Sequence, residues 1–450
     1  MFAEILEKNY KNSNEIFVID PCTKKHVTKK QFYNKIQDNI NDIKHIPKTV
    51  IHLPIDNTVE SMVSILSHAL KGNTIQLVAP QELRMIENLD TNCDIIIGSS
   101  GSTMSIKRIK LIWSKALLNA ESMATAMQVR KGDAHMLLMP LRHVNSLFYS
   151  FLSCFMSEQM IVMPKQLDIF NFWSWIEKYQ VVSVNVSPTI VRMINSRPAP
   201  IKKLLKKVLC ASATLRKKDY DIFKQKTGIS IIQGYGMSEA TNFSTVMPVD
   251  DLLREEANRF FYGEPVLSIG NALPGHDIKL DHDNQLCIDS PSNFEGYVGQ
   301  PNPGRIKTGD IGYFKEFKGK KYWFLKGRKK EIIKFRDETL YPQDIEQEIQ
   351  PYMKNADYFC FGFENQYDGE CIGMLVNEQN ITKDLVTSIS NLRNFDYKYY
   401  PRLVIIRSMD LFTTETKKPK RLFTAKHIEN SYQDYRFGSK ILIDTVNDTN

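Results

Sequence analysis

With 450 residues, 42% of them hydrophobic, and a formal net charge of +8 at pH 7, the chain can bury a large core and exceeds the usual span of one domain, which excludes a disordered chain and predicts two or more domains. Its seven cysteines are odd in number and scattered, with no CxxC pair and no Cys/His cluster at zinc spacing, which argues for a reducing compartment and against a structural metal. The positive balance favours anionic partners of many kinds, from small phosphates to nucleic acid or a membrane surface, without choosing among them.

In chain order, the opening stretch MFAEILEKNYKNSNE interleaves acids and bases where a secretory signal needs an uninterrupted apolar run, so a soluble cytoplasmic protein is expected. Short β-branched or apolar runs then alternate with longer amphipathic ones: TVIHLPI and VESMVSILSHALKG, TIQLVAP, CDIIIGSS, MIVMP, VVSVNVSP, KKVLCAS and KKDYDIFKQKTG, SIIQGYG. That rhythm predicts parallel strands with crossover helices. The most apolar segment, SLFYSFLSCFMSEQMIVM (146–163), is interrupted by Ser153, Ser157, Glu158 and Gln159, which suits a buried helix leading into a strand better than a membrane span. After about residue 265, GHDIKLDHDNQLCIDS and GYFKEFKGKKYWFLKG read as hairpins. A small α+β unit follows from about residue 331 to 435, opening with EIIKF and the helix PQDIEQEIQPYM, where Pro342 suits a first helical turn.

Four segments carry groups able to do chemistry. The loop SSGSTMSIKRIKL places the hydroxyls of Ser99, Ser100, Ser102 and Thr103 around Gly101 and Lys107, an anion cradle of the kind a triphosphate needs, although an inert Ser/Thr/Gly loop has the same composition. In QGYGMSEAT (233–241), Tyr235 can stack on a base, Ser238 can donate to a phosphate and Glu239 can help hold Mg²⁺. A plain β-to-helix turn is the competing reading. KTGDIGYF (307–314) sets Asp310 behind a glycine, where its oxygens can accept from vicinal ribose hydroxyls or simply cap a turn. TTETKKPKRL (413–422) crowds Lys417, Lys418, Lys420 and Arg421 together, which by itself describes a solvated face or a polyanion patch.

In their order, SSGSTxxxK, YGxSE, TGD, GRKKEIIK (327–334), PQDIE (342–346) and a late lysine resemble the acyl-adenylate-forming (AMP-binding) superfamily: acyl- and aryl-CoA synthetases, adenylation domains of nonribosomal peptide synthetases, and luciferase. The resemblance runs from about residue 30 to 425. It implies an α/β fold with a large multi-subdomain N-terminal domain (1–328), holding parallel-rich sheets and a small β-barrel-like part, and a small mobile α+β C-terminal domain (329–435), leaving 436–450 as a tail. It also implies that Ser99, Ser100, Gly101, Ser102, Thr103 and Lys107 hold phosphates, that Gln233 and Tyr235 contact adenine, and that Asp310 and Arg328 hold the ribose. Ser238 and Glu239 then serve catalysis, Glu239 as the Mg²⁺ ligand, and Lys418 bridges the carboxylate and α-phosphate as charge develops. Lys330 is the implied hinge, and Lys417, Lys420 and Arg421 are left as a solvated face. His143, Cys210 and Gly236 fall at the substrate side.

The chain departs from the family pattern at Met104 and Ile106, where a glycine and a proline are usual, at Asp337 and Lys417, each in place of a glycine, and in CASAT (210–214). Amino-acid-activating relatives place an aspartate where MPLRHVNSL has His143, because an ammonium needs a buried counter-charge. A carboxylic acid without a free α-amine is therefore the expected substrate. The expected reaction uses ATP and Mg²⁺ to form an acyl-adenylate, then transfers the acyl group to coenzyme A. A stand-alone adenylation enzyme loading the phosphopantetheine of an acidic carrier protein is one alternative. A catalytically inactive basic nucleotide- or nucleic-acid-binding protein is the other. On the favoured reading neither a nucleic-acid partner nor stable membrane insertion is expected.

Overall fold

The run VVSVNV forms the strand Val181–Val186, buried along nearly its whole length, as expected where helices cover both faces of a parallel sheet. The computed structural model describes all residues except 83–84, 90–91, 100–106, 200–203, 336–337, 355, 368, 393–398, 415–417, 433, 436, 438–440 and 446–450. Val181–Val186 belongs to a nine-stranded sheet ordered Asn271–Ala272, Phe243–Val246, Ile232–Gly236, Lys207–Cys210, Val181–Val186, Ala134–Leu137, Met160–Val162, Ile16–Ile19 and His26–Thr28. Its centre is parallel and its edges antiparallel. A five-stranded sheet, with Thr49–Pro54, Thr74–Val78 and Ile95–Ser99 parallel, lies earlier in the chain.

Local chemistry sets the helix ends. Thr28 and Gln31 form a reciprocal capping box that starts Lys29–Asp42. Ser187 caps Pro188–Asn195, whose first turn holds the proline, and Gly228 at φ +69° ends Lys217–Thr227 in the left-handed region. The apolar segment at 146–163 is indeed a buried helix, Asn145–Ser153 continuing into Cys154–Met156, followed by the strand Met160–Val162. No helix among the described residues is long and apolar enough to cross a membrane.

Both predicted hairpins form, and they join into one four-stranded antiparallel sheet, Asp277–Leu280, Gln285–Asp289, Ile306–Phe317 and Lys320–Arg328. The expected barrel-like part is thus an open sheet, its first and last strands unpaired with each other among the described residues. Beyond it come the hairpin Ile333–Phe335/Glu338–Leu340, the helix Pro342–Ile349 and a second four-stranded sheet. That sheet corrects the reading of 436–450 as a tail: Leu442–Thr445 pairs in parallel with Leu403–Arg407, because Ile441 and Ile443 pack on one core of the small unit and Leu442 on another. Among the described residues the buried clusters do not mix. Residues up to 325 pack among themselves, and residues from 333 onward form their own cores.

Candidate functional site

The C-terminal ends of the central parallel strands open into a cavity of about 1440 Å³, bounded also by the two hairpins and by the loop holding Lys418. Crevices at this end of a parallel sheet are where ligands bind in open α/β folds, and the volume exceeds what one drug-sized ligand usually fills.

Ile232–Gly236 delivers Gln233 and Tyr235, and a one-turn helix, Ser238–Ala240, follows it. Gly236 can be no other residue without rearrangement, since a Cβ there would lie 1.8 Å from the Asn242 carbonyl oxygen. The turn closes through Thr241 at φ +67°, a conformation that costs a β-branched residue roughly 1–3 kcal/mol. Thr241 is held there by its N–H bond to the Ser238 carbonyl (3.0 Å) and its hydroxyl bond to the Ser292 carbonyl. Ser238 and Glu239 are thereby presented half-buried at the cavity wall.

Asp310 sits in the long hairpin directly opposite Arg328. Gly309, at φ +77°, supplies a left-handed turn just before it. The Asp310 carboxylate accepts from the Tyr235 hydroxyl at 2.6 Å and pairs with Arg328 Nε at 3.0 Å. Burial, then the adjacent Asp310 charge, pushes the Tyr235 phenol well up, so it stays a donor. The Gln233 side-chain amide donates to the Leu267 and Ser268 carbonyls (3.3 and 3.2 Å), while its oxygen, buried, has no partner among the described residues.

Ser99 ends one strand of a hairpin in register with Lys107 on the next, so both ends of the predicted phosphate loop are anchored. Ser100, Gly101, Ser102, Thr103, Met104 and Ile106 lie outside the described residues, as do Asp337 and Lys417. Tyr297 carried no motif signal in GYVG, yet it links two predicted groups. Its hydroxyl donates to Glu239 at 2.9 Å, and Lys107 Nζ lies 4.9 Å from its ring centre. The segment is brought there by backbone pairing of Glu295–Val298 with Arg108 and Lys110.

Lys418 lines the same cavity, its backbone N–H bonded to Thr414 Oγ1 at 3.0 Å and its carbonyl accepting from the Thr414 N–H at 2.8 Å. Its charged neighbours are Arg328, Asp310, Glu239 and Glu331. Burial first, and then Arg328, brings its amine down to about 8 against the pull of the three carboxylates. His143 reaches the cavity just before the buried helix, and burial, with Arg142 and Lys418 nearby, lowers its imidazole to about 4. Lys330 is exposed in the short helix Lys329–Glu331, at the cavity rim.

Two expectations are corrected. Cys210 does not line the cavity: it ends its strand fully buried in the core, and Ala211 to Leu215 form the wall instead, because an inward-facing thiol at a parallel strand packs as a small apolar group. Arg421 is not on a solvated face: it is buried, with Nη2 at 2.7 Å from Glu346, Nη1 at 3.3 Å from Glu331 and Nε donating to the Cys360 carbonyl at 2.9 Å. Three acceptors converging on one fork explain why an arginine can be buried here. Lys420 is partly exposed.

The AMP-binding enzyme family matches residues 27–298. The chain is 25% identical over 332 residues to "Probable 4-coumarate--CoA ligase 2" of Dictyostelium discoideum, a match that takes in 70% of this chain and spans 59% of that protein's length. ATP-bound MatB from Rhodopseudomonas palustris shares the fold at a TM-score of 0.80 and 16% identity, covering 96% of this chain and 99% of that one. The Bacillus subtilis o-succinylbenzoate coenzyme A synthetase MenE, in complex with ATP and magnesium, does so at 0.76 and 14%, covering 94% and 98%. With Lys107, Tyr235, Glu239, Asp310, Arg328 and Lys418 gathered at one cavity and more than half of its length matched, the chain belongs to the AMP-binding enzyme family.

Proposed function

We propose that this protein is an AMP-forming acid–thiol ligase, activating a carboxylic acid with ATP and passing the acyl group to coenzyme A. The observation that carries the reading is the convergence of Lys418 with Glu239, Asp310 and Arg328 in one cavity. In the first half-reaction the acid's carboxylate oxygen attacks the α-phosphorus of ATP and pyrophosphate leaves. Lys418 meets the charge gathering between carboxylate and α-phosphate. In the second, a thiolate attacks the acyl carbon and AMP leaves.

The residues fit a nucleotide. Gln233's unpartnered oxygen can accept from an exocyclic amine, and Tyr235 offers a ring face. Asp310 keeps lone pairs for ribose hydroxyls while Tyr235 and Arg328 hold it in place, and Lys107 with the Ser99–Thr103 loop would take the phosphates. Glu239 would hold Mg²⁺, one carboxylate being sufficient where phosphates complete the shell. The ion would neutralise phosphate charge. Tyr297 orients that carboxylate through its 2.9 Å bond. His143, neutral above about pH 4, and Gly236 would line the acid's channel, which suits a substrate without an ammonium group. The small unit beginning at residue 329 is read as the mobile domain, with Lys330 as its hinge. The relatives named as CoA ligases favour coenzyme A over a carrier protein as acceptor.

A panel of carboxylic acids assayed for acid-dependent pyrophosphate release, followed by addition of coenzyme A or a phosphopantetheinyl carrier protein, tests the reading. Release with thioester formation on coenzyme A is expected. No acid-dependent release across the panel would overturn the assignment, and turnover only with the carrier would replace the acceptor.

A further inference from the structure

The two separately cored units meet at a set of directed contacts whose residues Arg192, Arg216, Lys218, Asp357 and Tyr358 line the same cavity as the proposed nucleotide groups. Arg216, at the start of the helix Lys217–Thr227, donates through Nη2 to the Tyr358 carbonyl at 3.1 Å, with its guanidinium 4.9 Å from the Tyr358 ring centre. Beside it, Lys218 Nζ donates to the Lys354 carbonyl at 3.1 Å, and Arg192 Nε stands 3.5 Å from an Asp357 carboxylate oxygen. All three cations belong to the first unit, and all three acceptors to one short stretch of the second.

That stretch leads straight to Lys418. Tyr358 opens the strand Tyr358–Asn365, and its hydroxyl donates to the Glu346 carbonyl at 2.6 Å. Two residues on, the Cys360 N–H donates to Glu346 Oε1 at 2.8 Å while its carbonyl accepts from Arg421 Nε at 2.9 Å. Arg421 also grips Glu331, beside the proposed hinge, and starts the helix that follows the Lys418 loop. Each link is short, and the central ones are buried, so a displacement of Tyr358 moves the Lys418 loop with it.

Resting on the proposed two-step reaction, we infer that Arg216, with Arg192 and Lys218, is a latch whose docking on residues 354–358 positions Lys418 over the cavity for adenylation and must open before thiol transfer. Arg216 is therefore a positioning residue, acting through Tyr358, Cys360 and Arg421. Removing one charged hydrogen bond from such a docked equilibrium changes the docked-to-undocked ratio about tenfold.

Arg216→Ala should slow acid-dependent pyrophosphate release about tenfold, leave transfer from supplied acyl-adenylate to coenzyme A unchanged or faster, and be partly rescued by Arg216→Lys. Hydrogen exchange, which needs no substrate, should rise in residues 358–363 and 411–421. Asp357→Arg, which sets like charges against Arg192, should reproduce the split if Arg216→Ala does not fold. Unchanged exchange in both segments overturns the latch. So does intact adenylation with impaired transfer, which would place Arg216 on the acceptor. If wild type shows no acid-dependent release, the functional reading fails, whereas wild-type release abolished in Lys418→Ala but unaltered by the latch variants defeats the latch alone.

Discussion

In the proposed reaction Lys418 acts as a cation, and its surroundings make that conditional on pH. Burial and Arg328 lower its amine to about 8, so the charged form is lost as pH rises through that value. The kcat/KM for ATP in the adenylation step should therefore fall above about pH 8, and Lys418→Arg, which cannot deprotonate in this range, should remove that limb. Lys418→Ala should slow adenylation at least about 100-fold, since one preorganised charge at a developing anion is worth roughly 3–4 kcal/mol. Transfer from supplied acyl-adenylate should be spared, and equal loss in both steps would remove Lys418 from this role. Asp310→Ala should weaken ATP binding, because it also removes the carboxylate that Tyr235 and Arg328 both contact. Glu239→Gln should mainly raise the Mg²⁺ requirement. Titration calorimetry with ATP across Mg²⁺ concentrations separates the two. The partners of these carboxylates were hidden at this scale: nothing in GYVG distinguishes Tyr297 from an ordinary turn aromatic, and Lys420 and Arg421 look alike until packing buries one of them.

Secondary-structure elements were far more legible. The alternating runs and the Gly- or Asp-rich turns between them predicted the parallel strands and both hairpins, since periodicity and turn chemistry are properties of a few neighbouring residues. Leu442–Thr445 escaped because a short LIDT stretch, two apolar residues followed by Asp444 and Thr445, has no pattern until a partner strand is known. Lys330 lies between Arg328, at φ −92° and ψ 135°, and Ile332, at φ −60° and ψ 134°, in an exposed turn joining the two units. The proposed domain rotation would be absorbed by few dihedrals, and proline fixes φ near −65°. Lys330→Pro should permit acyl-adenylate formation and collapse transfer to the thiol, whereas Lys330→Ala should leave both steps near wild type. Wild-type rates in both steps for the proline variant would place the hinge elsewhere.

Across the whole molecule, burial of neutral imidazoles ties stability to pH. His135 is fully buried, with Nδ1 2.9 Å from Ser183 Oγ, and desolvation, then Lys207, lowers it from the ordinary 6.5 to about 3. Between those values the unfolded chain binds a proton that the folded chain refuses. The stabilisation is therefore complete above about pH 6.5 and is lost as pH falls. His135 alone should cost roughly 2 kcal/mol between pH 6.5 and 5, and His143 acts in the same direction. Urea unfolding at pH 7 and 5 should show this loss, and His135→Asn should reduce it. An equal pH dependence in the variant would assign the effect to other groups.

By itself the amino-acid sequence determined the α/β class, the two hairpins, the small α+β unit and the order of the motifs, because each of these is written in residue types over a short window. Tertiary structure alone decided that Tyr297 joins Lys107 to Glu239, that Cys210 packs in the core, that Arg421 is buried between Glu331 and Glu346, and that Lys418 lines the cavity beside Asp310. The reason is physical: a side chain's burial and partners depend on which distant segments pack against it, and charge or aromaticity along the chain does not encode that meeting.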